Sequence, residues 1–192
     1  MKRVIVASAL ASLLVGGTAL AAPPINGTGT VGTCGLVGKI KIKPALQTGN
    51  TAPGEIKAKA KSTTCSGGTL DGATVVSAKV KGVGTTTTSD CNGLVGTQPT
   101  NLTVEIKWKV SKGSPKLATS TVTFTSQTGG ITGDNHGSFD LSGSVTAGSF
   151  TGNPVSAHIE TDVLVADILN ACNAKGIKKI TFGANGASSS SL

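Results

Sequence analysis

CGLVGKIKIK (residues 34–43) and EIKAKAKSTTC (residues 55–65) decide the reading of this chain. Both alternate small or apolar residues with lysine, the period-2 pattern of a strand with one dry face and one wet face. The link between them, PALQTGNTAPG (residues 44–54), is rich in turn formers. The pair therefore reads as a β-hairpin with a cysteine at each open end. Pairing Ile42 with Ile56 sets Ile40 against Ala58 and Gly38 against Ala60, so that one face is apolar throughout. The other face carries Lys39, Lys41 and Lys43 against Lys59, Lys57 and Glu55, with Lys61 beside them. In this register Cys34 falls opposite Thr64, one residue short of Cys65. A β-bulge at Thr63-Thr64 restores the match, because a bulge opposes two residues to one.

Outward from the hairpin the same style of strand recurs. A third strand is expected over residues 73–83 with Val76, Ala78 and Val80 inward. Residues 84–100 read as a long polar connection tethered by Cys91. The next strand, residues 102–110, is the most regular: Leu102, Val104, Ile106, Trp108 and Val110 share one face, and Thr103, Glu105, Lys107 and Lys109 the other. Trp108 is accordingly expected in the core, its indole N–H on a carbonyl or a water. Further strands are expected at residues 120–126 (Val122 and Phe124 inward), 137–147 (Phe139, Leu141 and Val145, with Gly143 at a bend), 154–160 and 177–183 (Ile180 and Phe182 inward). Residues 161–176 depart from alternation and read as a helix. Thr161 would be its N-cap, Leu164, Ile168 and Cys172 its apolar stripe, and Gly176 its stop. About eight short strands, each with one polar face, predict an all-β antiparallel barrel or sandwich with one short helix near the C-terminus.

The start of the chain reads as a secretory signal peptide over residues 1–21: Met1-Lys2-Arg3, a short apolar run, then Ala19-Leu20-Ala21. That run is too short for a membrane span, and no later stretch is apolar enough. Residues 22–33 read as a flexible leader, 34–184 as a single β domain and 185–192, ending in a serine run, as a disordered tail. The four cysteines, Cys34, Cys65, Cys91 and Cys172, form two disulfides in an exported chain. The hairpin favours Cys34–Cys65, which leaves Cys91–Cys172. The formal net charge is +8. The sole arginine, Arg3, lies in the signal peptide, so lysine supplies the basicity of the rest. Lysine without arginine argues against sequence-specific nucleic-acid recognition, which relies on bidentate guanidinium contacts.

Cys34 ahead of the Gly38-Lys39-Ile40 strand that ends at Pro44, Cys65 closing the next strand, the Val104–Trp108 strand, and Asn170-Ala171-Cys172 followed by Lys175-Gly176-Ile177-Lys178-Lys179-Ile180 together resemble a group of small secreted proteins of high-GC Gram-positive bacteria. The likeness covers most of the chain after residue 21. Its motifs are structural. The resemblance implies a compartment and a disulfide pattern; that group has no assigned activity, so no site residues carry over.

Catalytic and metal motifs are not found. His136 lies in a turn by composition, where it could act as a base or ligand with Asp134 or Asp140, or simply face solvent. His158 alternates onto the wet face near Glu160 and lacks a third ligand. No G-x-S-x-G, P-loop or dinucleotide fingerprint occurs. The chain is therefore read as non-catalytic, without cofactor or metal. Two partner classes remain. The lysine face (Lys39, Lys41, Lys43, Lys57, Lys59, Lys61) suits cell-envelope polyanions. A closed barrel with inward Gly38, Ala58, Ala60, Ala78 and Gly143 suits a small apolar ligand.

Overall fold

The computed structural model describes Gly29 and residues 32–91, 96–184 and 188–191. The expected signal peptide and most of the leader lie outside the described residues. Alternation builds antiparallel strands in chain order: β1 (Thr33–Leu46), β2 (Gly54–Ser66), β3 (Thr69–Leu70), β4 (Ala73–Thr86), β5 (Gly96–Val110), β6 (Ser120–Ile131), β7 (His136–Ala147) and β8 (Pro154–Leu164). Then come α1 (Val165–Ala174), β9 (Ile177–Phe182) and β10 (Ser189–Ser191). The sheet runs β1-β2-β4-β5-β6-β7-β8-β9 and returns from β9 to β1, a closed barrel of eight strands with one helix. Of the two architectures the alternation allowed, the chain adopts the barrel.

The hairpin register is the expected one: Ile42 faces Ile56, Ile40 faces Ala58 and Gly38 faces Ala60. Leu36 faces Ser62 while Cys34 faces Cys65, so Thr63 and Thr64 together oppose Gly35. This bulge delivers Cys34 to Cys65 with their Cα atoms 4.1 Å apart, and the two are disulfide-bonded. The second disulfide joins Cys91, just past β4, to Cys172 of α1.

Several expectations are corrected. In β4 it is Val75 that faces inward, and Val76 is exposed, because a bulge inserts Val76 between the pairs Val75–Val110 and Ser77–Lys109. The connection after β4 is shorter than expected, since β5 begins at Gly96. The helix starts at Val165, and its N-cap is Leu164 without a side-chain cap. Thr161 remains in β8, where its buried hydroxyl accepts the Gly137 N–H (3.0 Å) and donates to the Val163 carbonyl (2.8 Å). The first turn of α1 docks instead on a neighbouring turn, the Val165 N–H meeting the Asn135 carbonyl at 2.8 Å. Ile168 and Cys172 form the buried stripe, while Leu164 is exposed.

The tail is the largest correction. Ser189–Ser191 is a strand, paired on one side with Thr33–Gly35 of β1 and on the other with Ser156–His158 of β8. β9 joins β1 at Gly38–Lys41 and touches β8 at Thr161. The seam between β1 and β8 is thus filled end to end by two short strands. Gly183 makes the passage between them possible: its φ is +81°, and a Cβ there would lie 1.8 Å from the Leu36 carbonyl oxygen. Buried Ser188 stitches both sides, its carbonyl taking the Leu36 N–H (2.8 Å) and its hydroxyl the Glu160 N–H (2.8 Å). The described part of the leader is packed as well. The Asn153 side-chain amide donates to the Gly29 carbonyl at 2.8 Å, and Thr33 already belongs to β1.

One end of the barrel is filled solid. Trp108 meets Phe150 edge-on, ring centroids 5.2 Å apart, beside buried Leu70, Val75, Val145 and Val155. Trp108 is half-buried, less enclosed than its stripe suggests, because it lies at the barrel end. Its Nε1–H donates to Ser120 Oγ at 2.7 Å, and that buried hydroxyl donates in turn to the Ser149 carbonyl. Trp108→Phe keeps the ring contact and removes the donor, so urea unfolding should show a loss of about 0.5–1.5 kcal/mol, the net value of one hydrogen bond, at unchanged m. Deleting residues 188–192 should cost more, because two strand edges lose their partner together. A fall in Tm of roughly 10 °C is expected by calorimetry, and an unchanged Tm would show that the seam holds without β10.

Candidate functional site

The other end of the barrel is hollow. Side chains from all eight strands line a cavity of ≈ 160 Å³. Its lining is unequal around the barrel. On β5 to β9 the inward residues Leu102, Val104, Phe124, Phe139, Leu141 and Phe182 are buried. On β1, β2 and β4 the inward residues Ile40, Ile56, Ala58, Ala60 and Val80 line the same cavity and are only half-buried. They point into the barrel yet keep accessible surface, because the space in front of them is empty. The small residues Ala58 and Ala60 leave that space, and Gly38 leaves room for the Phe182 ring, since a Cβ at Gly38 would come within 2.7 Å of it.

The cavity reaches the surface past Thr85, Thr87 and Thr88, which are both exposed and part of its lining. Asp90 and Gln127 add polarity at this mouth. Thr86 Oγ1, on a residue that lines the cavity, and Ser89 Oγ, on a neighbouring residue that does not, are buried and make no hydrogen bond within the described structure. They flank Gly54: a Cβ at that position would lie 2.7 Å from each oxygen. An orphaned buried hydroxyl is costly, so such pairs are uncommon without a partner. The mouth is held on one side by α1. Beneath the helix, Ile42, Leu46, Ile168, Ile177 and Ile180 pack around the Cys91–Cys172 disulfide. The second disulfide therefore fixes the chain that leaves β4 at the mouth to the helix beside it. The alternation of the strands pointed to a barrel with small inward residues; the half-burial that marks the void could be read only from the closed structure.

The lysine residues singled out from the hairpin lie together on the outer side of this same wall. Lys39, Lys41, Lys43, Lys57, Lys59 and Lys61 are all exposed. Lys57 Nζ lies 3.8 Å from Glu55, with both side chains about two-thirds exposed, so the pair adds little. The hairpin alone did not reveal how far the face extends. Lys79 and Lys81 of β4, Lys107 and Lys109 of β5 and Lys179 of β9 continue it on adjacent strands. The signal was present in the alternation of each strand, but only the barrel order makes them neighbours.

Neither histidine joins the cavity. His136 is half-buried, and its Nδ1–H donates to the Thr161 carbonyl at 2.7 Å, pinning β7 to the end of β8. His158 turns toward Asp140 and not toward Glu160, with Nδ1–H on Oδ1 at 2.7 Å. Asp140, His158 and Ser189 are directly opposed on β7, β8 and β10. No hydrogen bond joins His158 to a serine among the described residues, so the row holds a pair rather than a relay. No group of three metal-ligating side chains occurs among the described residues. No helix among them is long and apolar enough to cross a membrane. Comparison with family models, with curated proteins and with solved structures finds no match to the chain.

Proposed function

We propose that this protein is an exported binding protein that carries a small, largely apolar ligand inside its barrel. The observation that carries the reading is the half-burial of inward Ile40, Ile56, Ala58, Ala60 and Val80 around a cavity of ≈ 160 Å³. An apolar cavity of about 150 Å³ is enough to hold a one-ring aromatic molecule. Ala60 to Ile56 spans about 13 Å of strand, room for a short alkyl chain lying along it. The orphaned hydroxyl of Thr86, which lines the cavity, gives such a ligand a place for one polar end near the mouth. Pockets of this kind, apolar with a few polar groups that fix orientation, are the usual form of small-molecule sites. Two disulfides and the sequence resemblance support the exported setting.

The test uses two neutral probes, toluene and n-hexanol, so that the lysine face cannot attract them. Each should raise the Tm of the protein in proportion to the logarithm of its concentration once above its Kd. Ala58→Leu fills the void. It should abolish both shifts and leave the unliganded Tm equal or higher, since filling a void with a methylene adds burial worth about 0.8 kcal/mol. Thr86→Val should weaken hexanol several-fold more than toluene. Probe binding that survives Ala58→Leu unchanged would place the ligand elsewhere and end this reading.

A further inference from the structure

The outer surface of the barrel is divided by charge. Three rows of directly opposed lysines cross adjacent strands. Lys179, Lys41 and Lys57 face one another across β9, β1 and β2. Lys39, Lys59 and Lys81 do so across β1, β2 and β4, and Lys61, Lys79 and Lys107 across β2, β4 and β5. All are exposed. Apart from Lys57 with Glu55, none makes an ion pair among the described residues. From β6 through β8 there is no lysine, and the ionisable side chains there are Asp134, His136, Asp140, His158, Glu160 and Asp162.

A face that only keeps a protein in solution does not require this arrangement. Solubility is served by interspersed charges of both signs, and like charges directly opposite in a sheet are destabilising. Here every row repeats that unfavourable juxtaposition, and the two acids on these strands stand beside the lysine rows and not within them: Glu105 faces Lys81 from β5, and Glu55 faces Lys43. We infer that the lysine wall binds a flexible linear polyanion, a polymer with a phosphate or similar anionic group on each repeat unit. Two features favour this partner over a flat anionic bilayer. The lysine-bearing strands β9, β1, β2, β4 and β5 are five of the eight around a closed barrel, so the wall is convex and wraps more than half the circumference. A plane meets such a surface only along a narrow strip, whereas a flexible chain can follow it. Among the described residues the wall also lacks exposed aromatic side chains with which to anchor in a lipid interface; Val76 and Val83 of β4 are its exposed large aliphatic residues. Along a strand successive wall lysines are about 6.6 Å apart and between strands about 4.8 Å, a dense two-dimensional grid of positive charge. The absence of arginine from the wall suits a partner recognised by charge density and not by a fixed bidentate geometry.

The inference does not depend on what fills the barrel, and its experiment keeps the two apart. Long-chain inorganic polyphosphate is titrated into the protein over a range of NaCl concentrations, with vesicles rich in phosphatidylglycerol and a stiff duplex DNA as comparisons. Polyphosphate should bind, with log K falling linearly against log salt as counterions are released. The triple variant Lys39→Gln/Lys59→Gln/Lys81→Gln removes the central row. It should bind at least tenfold more weakly with a shallower salt slope, at an unchanged or raised Tm and with the toluene shift intact. The control variant Lys112→Gln/Lys116→Gln/Lys175→Gln removes the same charge away from the wall and should stay within twofold of the original. Equal loss in the two variants would reduce the effect to net charge and overturn the proposal. So would failure to bind polyphosphate at about 0.15 M salt, or tighter binding to the vesicles or the duplex than to the flexible polymer.

Discussion

A β-sheet edge presents unpaired N–H and C=O groups that must find partners, water or another chain. In this protein the whole architecture turns on how the edge of β1 is matched to the edge of β8. Neither strand reaches the other. The gap is filled from the mouth side by β9 and from the solid end by β10, with Gly183 at the junction and Ser188 bonded to both neighbours. Closure creates an inside, and only then do small inward residues become a cavity and outward lysines a continuous wall.

The β1–β2–β4 wall carries both candidate sites on its two faces. Strand alternation sends Ala58 and Ala60 inward and Lys57, Lys59 and Lys61 outward within one short run of β2. A one-residue slip in register would reverse every one of these side chains. The bulge at Thr63-Thr64 and the Cys34–Cys65 disulfide hold that register at the solid end. At the mouth, the Cys91–Cys172 disulfide and α1 hold the chain that leaves β4. Each cross-link therefore secures one end of the wall on which recognition depends.

Much of this was legible in the sequence where local pattern and final environment agree. Strict alternation in residues 36–43 and 55–61 specified the hairpin register, its bulge and its disulfide, and regular alternation in β5, β6, β7 and β9 specified their inward faces. Legibility failed where tertiary contacts overrode pattern. The serine run at 188–191 resembles a solvated tail, yet its small side chains let the backbone slot between two strands, and the pairing comes from the backbone and not from side-chain character. Val76 lost its place to Val75 because a bulge shifted the phase of β4. Thr161 had the composition of a helix cap, but its hydroxyl found partners in the sheet. The cavity was the least legible feature: alanine and glycine at inward positions fit either close packing or a void, and only the distance across the barrel distinguishes them.

Closure by β9 and β10 also has a consequence in time. The first strand of the barrel pairs with the last two, so nearly the entire described chain lies between Ile40 and its partner Ile180, or between Cys34 and Ser190. Contacts of such wide sequence separation make for high contact order and slow folding, because the entropy of closing the loop is lost before the pairing is gained. A chain in which β9 and β10 have not yet paired would present the edges of β1 and β8 without partners. Its β1 edge carries Lys39, Lys41 and Lys43, residues of the kind that discourage a second open sheet from docking there. In such a chain the same lysines that form the outer wall would set like charge against like charge wherever two unfinished barrels met edge to edge.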